Sequence, residues 1–216
     1  MTTKDRIIYE ALSLFSMRGY EAVTIRQIAT AVGIKESSVY NHFENKQDIL
    51  DTIVRETINR YEKVLQESNV PGIEDPDVSG SFDSICDEDF YQMCTGVFLF
   101  YLKDEYISKL RRLLTIEQYS NPELGKTFKN IFINNILENQ AKVLQKFIDS
   151  GHYAGDLLGD IIPYAYTMAL HFYAPVFLLL YKYDSNHENE EQAIAELRSH
   201  VSQYNALYKA DHKIMV

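Results

Sequence analysis

The sequence lacks the residue patterns from which disulfide frameworks, metal centres and common enzyme sites are built. Only two cysteines are present, Cys86 and Cys94, and their C-x7-C spacing is neither a metal nor a redox signature. There is also no glycine-rich phosphate loop, no nucleophile-elbow motif and no metal-spaced cluster of histidine and cysteine. We therefore expect no catalytic residue, no metal and no cofactor, and the scarcity of cysteine suits a reducing cytoplasm.

A signal peptide and a membrane span are not expected either. Met1–Arg6 is polar and leads directly into a helical pattern. Residues 161–181 form a run without formal charge that is long enough to span a bilayer. However, this run contains Pro163, Pro175, His171 and four tyrosines. Acidic rather than basic residues precede it. We expect a helix buried on all sides, with a kink at Pro175, in a cytoplasmic protein.

Positive charge, which DNA-binding proteins commonly carry, is not in excess, because the net charge is −10. Its distribution is uneven. Residues 1–48 hold six basic and six acidic groups, whereas the remainder holds 15 basic and 25 acidic groups. Only the N-terminal segment can approach phosphate groups without strong repulsion. We expect the acidic remainder to face away from DNA and to weaken non-specific binding.

The sequence does contain a helix-turn-helix pattern in the segment Thr24–Lys46. Thr24 is suited to cap a helix, and Gln27 three residues later completes a capping box. Apolar residues then recur at helical spacing, and Gly33 follows where a helix end favours a positive φ. A second helix is predicted from about Lys35 to His42. Such a helix pair can place its second helix in the major groove of DNA.

Helices flank this motif on both sides. Lys4–Arg18 carries an apolar stripe and is predicted to pack behind the motif, because three helices are the fewest that enclose so small a core. Asn45 can cap a fourth helix that runs to about Gln66. We therefore predict a DNA-binding domain in residues 1–48 and a second helical domain in residues 49–216.

The motif residues resemble the DNA-binding signature of the TetR family of bacterial transcriptional regulators. Three short patterns carry the resemblance: T-x-R-x-I-A from Thr24, V-G-I from Val32, and Y-x-H-F-x-x-K from Tyr40 to Lys46. The remainder of the chain agrees only in length and in helical character. The resemblance implies an all-α protein, with an N-terminal three-helix DNA-binding domain and a C-terminal helical bundle for ligand binding and dimerisation.

The predicted DNA contacts fall into two groups. Thr24 at a helix N-terminus can contact phosphate. Tyr40, His42 and Lys46 match family positions that touch the DNA backbone, and Ser38 is expected to join them. Base readout is expected from residues whose side chains suit base edges: Arg26, Lys35, Glu36, Ser37 and Asn41. Lys35 departs from the family pattern, which often has a capping Ser or Thr there. The start of the second helix is therefore left open, and Lys35 reaches either base or phosphate.

Three further helical segments follow a proline- and glycine-containing stretch, Ser68–Ser84, which is predicted to be a solvated loop rather than a partner-binding segment. The helices are predicted at about Glu88–Leu102, Asp104–Tyr119 and Asn121–Ser150. In the last one, Phe128, Phe132, Asn135 and Asn139 are predicted to share a face. Its asparagines are either ligand contacts or residues at the surface or the edge of the core.

The resemblance implies that a small-molecule effector binds inside the C-terminal bundle. Candidate ligand residues are Phe98, Tyr101, Phe132, Asn135, Tyr164, Met168 and His171. For each of them, ordinary core packing is the alternative. The supply of aromatic residues, 16 tyrosines and 11 phenylalanines, suits a flat, apolar or aromatic ligand.

Two apolar seams, in Asp160–Tyr183 and Asn189–Lys209, suggest a four-helix bundle formed with a second copy of the chain. The family forms its dimer with its last two helices, and the resemblance implies the same here; packing within one chain is the alternative. The predicted interface residues are Ala169, Phe172, Val176, Ile194, Leu197, Val201, Tyr204 and Tyr208.

Together these features predict a ligand-responsive transcriptional regulator that is not an enzyme. It is expected to be a homodimeric repressor that leaves a pseudo-palindromic operator in double-stranded DNA when a small molecule binds. The alternative is a TetR-like coactivator that works through protein–protein contacts without binding an operator.

Overall fold

The described part of the protein is helical. The computed structural model describes residues 1–67, 87–154, 164–184 and 189–209. Within these ranges the regular secondary structure is helix, and a β-bridge between Tyr153 and Lys209 is isolated. The predicted all-α fold class is therefore confirmed. The predicted loop Ser68–Ser84 and the predicted helix start at Asp160 lie outside the described residues.

The chain forms two compact units, each built from segments that are distant in sequence. The first unit comprises Met1–Asn69 and Lys103–Phe132, and the second comprises Val70–Leu102 and Ile133–Val216. The predicted division after residue 48 is a division by function and stays a prediction.

The first unit begins with four helices: α1 (Thr3–Arg18), α2 (Ile25–Val32), α3 (Glu36–Val39) and α4 (Lys46–Glu67). Their shared core consists of fully buried apolar side chains, among them Ile7, Leu12, Phe15, Ile28, Val39, Leu50 and Ile53. Asn45 caps α4 as predicted, because its Oδ1 accepts from the N–H of Asp48 at 2.9 Å.

The chain returns to the first unit at Lys103, the last residue of α5 (Asp87–Lys103). Two further helices, α6 (Glu105–Glu117) and α7 (Pro122–Lys129), complete this unit. α6 packs against α1. The Tyr9 hydroxyl donates to Glu105 at 2.9 Å, and the Lys109 ammonium donates to Ser13 Oγ at 3.0 Å and lies 4.1 Å from the centre of the Tyr9 ring. α6 is therefore an integral part of the unit that contains the helix-turn-helix.

The helix predicted over Asn121–Ser150 is interrupted by a π-helical turn, Asn130–Asn134, between α7 and α8 (Asn135–Asp149). Phe128 and Phe132 are buried, but Asn135 and Asn139 are exposed. The expectation that these four residues share one face was wrong, because a π turn holds an extra residue and shifts the register of all residues after it.

The second unit contains α5, α8, α9 (Tyr164–Lys182) and α10 (Glu190–Tyr208). Its core cluster consists of Leu137, Leu144, Phe147, Tyr153, Ala165, Met168, Ala169, Tyr173 and Tyr204. The Tyr204 hydroxyl, which is buried, donates to the carbonyl of Met168 at 3.2 Å. This bond satisfies a polar group inside an otherwise apolar cluster.

α9 is long and apolar enough to cross a membrane by length and composition alone, but only 33% of its apolar window is buried. Length and composition are weak evidence, since core helices pass the same test. Burial on all sides is not reached within one chain, because Leu170, Leu178 and Tyr181 are 48%, 67% and 37% exposed there, and burial against a second copy stays a prediction. These residues lie on the more exposed side of α9 within the described part of this chain. The kink at Pro175 stays a prediction.

Candidate nucleic-acid interface

Side-chain and backbone caps hold both ends of α2. Thr24 Oγ1 accepts from the N–H of Gln27, and Gln27 Oε1 accepts from the N–H of Thr24 at 2.8 Å. Gly33 adopts the left-handed conformation, with φ of 77°, and Arg6 donates to the carbonyl of Val32. The predicted capping box and glycine end are therefore confirmed. Because the N–H of Thr24 donates to Gln27 and the N–H of Gln27 donates to Thr24, the backbone donors left for a phosphate at this helix start are those of Ile25 and Arg26.

The second helix of the motif, α3, is shorter than predicted. It begins at Glu36 and ends at Val39, whereas the prediction was about Lys35 to His42. Lys35 occupies the cap position without a side-chain hydrogen bond, because an ammonium can only donate. Beyond the helix, the N–H groups of His42 and Phe43 both donate to the carbonyl of Val39, so the chain continues as a tight turn.

The predicted DNA contacts lie on the surface of this motif. Those exposed to solvent are Thr24, Arg26, Lys35, Glu36, Ser37, Tyr40, Asn41 and His42, and Ser38 is half-buried. The apolar residues of the same segment are buried, namely Ile28, Ala29, Val32, Val39 and Phe43. The motif therefore has a polar outer face that is fixed by an apolar inner face.

Lys46 differs from the other predicted contacts because its ammonium is engaged inside the unit. Nζ donates to the carbonyls of Tyr20 at 3.0 Å and Val23 at 3.1 Å, and it lies 4.1 Å from the centre of the Tyr20 ring. The side chain is 23% exposed. Its predicted contact with phosphate stays a prediction, but the structure adds a role that the sequence did not reveal: Lys46 braces the turn between α1 and α2.

A second residue that sequence analysis missed is Glu117, at the end of α6. Its carboxylate is buried, with Oε1 accepting from the N–H of Tyr20 at 2.7 Å and Oε2 accepting from Ser120 Oγ at 3.0 Å. The Tyr20 hydroxyl in turn donates to Gln47 at 3.1 Å, and burial raises the pKa of this tyrosine. No local signal could have found Glu117, because 97 residues separate it from Tyr20.

The predicted effector residues are only partly brought together. Tyr164, Met168 and His171 on α9 all contact α10: His171 Nδ1 is 2.7 Å from the hydroxyl of Tyr208, and the ring centroids of Tyr164 and Tyr208 are 6.4 Å apart. The remaining four lie on other helices. Phe98 and Tyr101 are buried on α5, Asn135 is exposed on α8, and Phe132 belongs to the first unit.

Two buried polar atoms in the second unit have no hydrogen-bond partner among the described residues: Thr95 Oγ1 and Gln140 Oε1. Such atoms are uncommon in folded proteins, and each calls for an explanation.

Cys94, next to Thr95, has a buried thiol rather than an unpaired hydroxyl or amide oxygen. Burial raises the pKa of its thiol to about 12, so the thiol stays protonated and packs as a small apolar group.

An open groove of about 580 Å³ lies in the first unit, between α4 and α7. Its apolar lining residues are Val54, Ile58 and Leu124, and its polar lining residues are Gln47, Asp51, Arg55, Asn59, Asn121, Glu123 and Thr127. None of the predicted ligand residues lines this groove.

The predicted dimer interface is also partly buried within one chain. Ala169, Leu197, Val201 and Tyr204 are at most 3% exposed, whereas Phe172, Val176, Ile194 and Tyr208 are half-buried. The first four residues pack inside the second unit. The exposed apolar residues of α9 and α10 include Leu170, Ala174, Leu178, Tyr181 and Leu207.

Comparison with known proteins places this motif in a family. Residues 7–53 match the family model described as bacterial regulatory proteins, tetR family. A curated relative is the biofilm operon icaADBC HTH-type negative transcriptional regulator IcaR of Staphylococcus epidermidis. It is 29% identical over 153 residues, which cover 71% of this chain and 73% of IcaR.

Solved structures share the fold over nearly the whole chain. A TetR-family transcriptional regulator from Marinobacter aquaeolei VT8 has a TM-score of 0.60 at 24% identity, covering 96% of this chain and 89% of that one. SmeT, the repressor of the Stenotrophomonas maltophilia multidrug efflux pump SmeDEF, has a TM-score of 0.62 at 18% identity, covering 100% and 94%. The complex of SmeT with triclosan has a TM-score of 0.63 at 18% identity, and the match covers 100% of this chain and 95% of that one. Residues 7–53 thus match the tetR family of bacterial regulatory proteins, and the chain shares the helical fold of solved TetR-family regulators.

Proposed function

We propose that this protein is a cytoplasmic homodimeric repressor that binds a pseudo-palindromic operator and releases it when an apolar or aromatic small molecule binds. The observation that carries this proposal is the polar outer face of α2, α3 and the following turn, held by caps over a buried core. IcaR is a negative regulator and SmeT is a repressor, which favours repression over activation.

Base readout is assigned to a short segment in this proposal. α3 has only four residues, so Lys35, Glu36 and Ser37 lie at its beginning, and Asn41 lies in the turn that follows. The N-terminal end of a recognition helix is the part that contacts base edges in helix-turn-helix proteins. Arg26 joins them from α2. The phosphate contacts are assigned to Thr24, Ser38, Tyr40, His42 and Lys46.

A second copy of the chain is the partner that best fits the exposed side of α9. Leu170, Ala174, Leu178 and Tyr181 follow each other at spacings of four, four and three residues, which puts them on one face of the helix. Such a stripe on a charge-poor helix favours burial against another helix. Two copies would present two recognition segments to two half-sites about one helical turn, or roughly 34 Å, apart.

The effector is assigned to the second unit. SmeT has been solved with triclosan, an observation about SmeT that motivates the same class of ligand here. The unpartnered Thr95 Oγ1 and Gln140 Oε1 are polar groups that a ligand entering the second unit can satisfy, and its aromatic side chains suit a flat molecule. The ligand must bind the DNA-free form better, and a tenfold change in operator affinity requires about 1.4 kcal/mol of preference.

The experiment is a gel-shift titration of promoter fragments near the gene of this protein, including its own promoter, against random DNA of the same length. Addition of triclosan as a probe follows. We expect specific binding that weakens when an aromatic ligand is added. Binding that no tested aromatic compound changes would leave a regulator without the proposed release. Absence of specific binding at every promoter would favour the coactivator alternative.

A further inference from the structure

The turn that joins α1 to α2 determines where the helix-turn-helix begins. It runs from Gly19 to Thr24, the cap of α2. Within it, the N–H of Val23 donates to the carbonyl of Tyr20 at 3.3 Å. Because α2 follows this turn directly, any change in the turn changes the direction in which α2 and α3 leave α1.

Glu117 holds this turn from the side of α6. Its Oε1 accepts from the backbone N–H of Tyr20 at 2.7 Å, and the residue Glu117 is 5% exposed. A hydrogen bond from a backbone N–H to a buried carboxylate is charge-assisted and short, and it is stronger than a bond between neutral groups. Ser120 donates to the other oxygen at 3.0 Å and so fixes the orientation of the carboxylate.

The absence of a side chain at Gly19 allows this approach. A Cβ atom at Gly19 would lie 2.9 Å from Glu117 Oε1 and 3.4 Å from Ile116 Cγ2. The φ of Gly19 is also 80°, in the region that L side chains rarely adopt. Both the close approach and the backbone conformation therefore require glycine, which is consistent with a turn built around the carboxylate.

Lys46 holds the same turn from the side of α4. It donates to the carbonyls of Tyr20 and Val23, while the Tyr20 hydroxyl donates to Gln47 one residue further along α4. The Tyr20 ring packs on Phe15 of α1 at a centroid distance of 5.3 Å. The N–H of Tyr20 is thus held by α6, its carbonyl and hydroxyl by α4, and its ring by α1.

We infer that Glu117 is a positioning residue for operator recognition, and this inference rests on the proposed DNA-binding function. Through the N–H of Tyr20 it sets the angle of α2 and α3 within the first unit, so that a displacement of α6 is passed to the DNA-binding face. Glu117 itself does not touch DNA. A purely structural role would lower stability but would leave the preference for operator over random DNA unchanged in the folded protein.

The test compares two substitutions at Glu117 with one control on the same helix. Glu117→Gln keeps an oxygen that can accept from Tyr20, whereas Glu117→Leu has a similar size and no acceptor. The control is Glu105→Gln, since Glu105 also accepts from α1, through the Tyr9 hydroxyl, but does not touch the turn. Each full-length variant is measured at a temperature where circular dichroism shows it folded, for affinity to operator and to random DNA and for hydrogen exchange at the Tyr20 amide.

We expect Glu117→Leu to lose about tenfold in operator affinity, the equivalent of one charge-assisted hydrogen bond, with random-DNA affinity within about twofold. The Tyr20 amide should exchange faster. Glu117→Gln should recover most of the operator affinity, and Glu105→Gln should match wild type. A folded Glu117→Leu variant with wild-type operator affinity, or with equal losses on operator and random DNA, would overturn the inference.

If Glu117→Leu does not fold, Ser120→Ala decides the question, because it removes the hydrogen bond that orients the carboxylate while Glu117 and the backbone of the turn remain. The same loss of operator preference supports the inference, and wild-type preference overturns it. Failure of the proposed function is recognised separately, since wild-type protein would then show no operator preference. In that case the exchange rate of the Tyr20 amide still decides whether Glu117 fixes the turn.

Discussion

The ammonium of Lys46 lies 3.0 Å from the carbonyl oxygen of Tyr20 and 4.1 Å from the centre of the same residue's ring. The final residue of the family signature therefore contacts the turn between α1 and α2, at a distance of 26 residues along the chain. Its conformation is determined by the fold of the first unit before any DNA is present. This relationship changes what substitution of Lys46 is expected to do.

Lys46→Ala should lower both stability and DNA affinity. Loss of the hydrogen bonds to two carbonyls should decrease the free energy of unfolding by about 1.5–3 kcal/mol. Affinity for operator and random DNA should fall together. If Lys46 also contacts phosphate, the slope of the logarithm of the binding constant against the logarithm of the salt concentration should become shallower by about one unit. Urea unfolding and binding at several salt concentrations measure the two effects.

Lys35→Ala is the matched control for this prediction, because Lys35 is exposed and its side chain makes no cap hydrogen bond. It should change DNA binding and leave the free energy of unfolding unchanged. Unaltered stability of Lys46→Ala would show that the contacts with Tyr20 and Val23 contribute little.

Leu178→Arg should separate dimerisation from folding. Leu178 is 67% exposed within one chain, so an arginine there meets solvent in the monomer but an apolar partner in a dimer. We expect a folded monomer by circular dichroism and sedimentation. Leu197→Arg is the contrast, because Leu197 is 1% exposed and the same change there should unfold the second unit. A Leu178→Arg variant that remains a dimer at wild-type concentrations would exclude this face as the interface.

Thr95→Val should weaken the response to the effector without weakening the fold. The Thr95 hydroxyl is buried and has no hydrogen-bond partner among the described residues, and valine has nearly the same shape. Removal of an unsatisfied buried hydroxyl is expected to leave the free energy of unfolding equal or higher. If a ligand normally binds this hydroxyl, operator release should require more ligand. Thermal unfolding and release titrations check both parts; wild-type release would show that Thr95 does not contact the ligand.

His200 should make the second unit less stable at mildly acidic pH. Burial lowers the pKa of His200, although its bond to the carbonyl of Phe172 acts in the opposite direction, and His171 nearby lowers the pKa further. Between the two pKa values the unfolded state therefore binds more protons than the folded state. The contribution of neutral His200 to the free energy of unfolding is complete above about pH 6.5 and is lost as the pH falls. Urea unfolding across this range measures the change.

His200→Gln should have a shallower pH dependence, because glutamine does not titrate and can still donate to Phe172. His42→Gln is the control, since His42 is exposed and lies in the first unit. An unchanged pH dependence in His200→Gln would assign the acid sensitivity to other groups.

Local features of the fold could be predicted from the sequence, because their information lies within a few residues. The pair Thr24 and Gln27 specifies a capping box across one turn, and Gly33 supplies the positive φ that ends α2. The length of α3 was less predictable. Lys35 cannot cap a helix, and what ends α3 at Val39 is the tight turn that leads to α4.

Features that depend on distant residues could not be predicted. Glu117 and Tyr20 are 97 residues apart, and neither has a neighbour in sequence that indicates the contact. An apolar seam shows that Leu197 faces something, but it does not distinguish a core in the same chain from a partner. The π turn before Asn135 has no sequence signal comparable to a cap, so the orientation of the residues after it was mispredicted.

Protection of promoter DNA from cleavage, measured for wild type and for Asn41→Ala, tests the central claim most directly. Wild type is expected to protect two half-sites whose centres are about 34 Å, or a multiple of that distance, apart. Asn41→Ala should lose about 1–3 kcal/mol of operator affinity and relax the preference at one base pair in each half-site. Asn59→Ala, an exposed asparagine on α4 outside the motif, should match wild type. Absence of protection on every promoter, including that of its own gene, or equal losses for Asn41→Ala on operator and random DNA, would contradict the account.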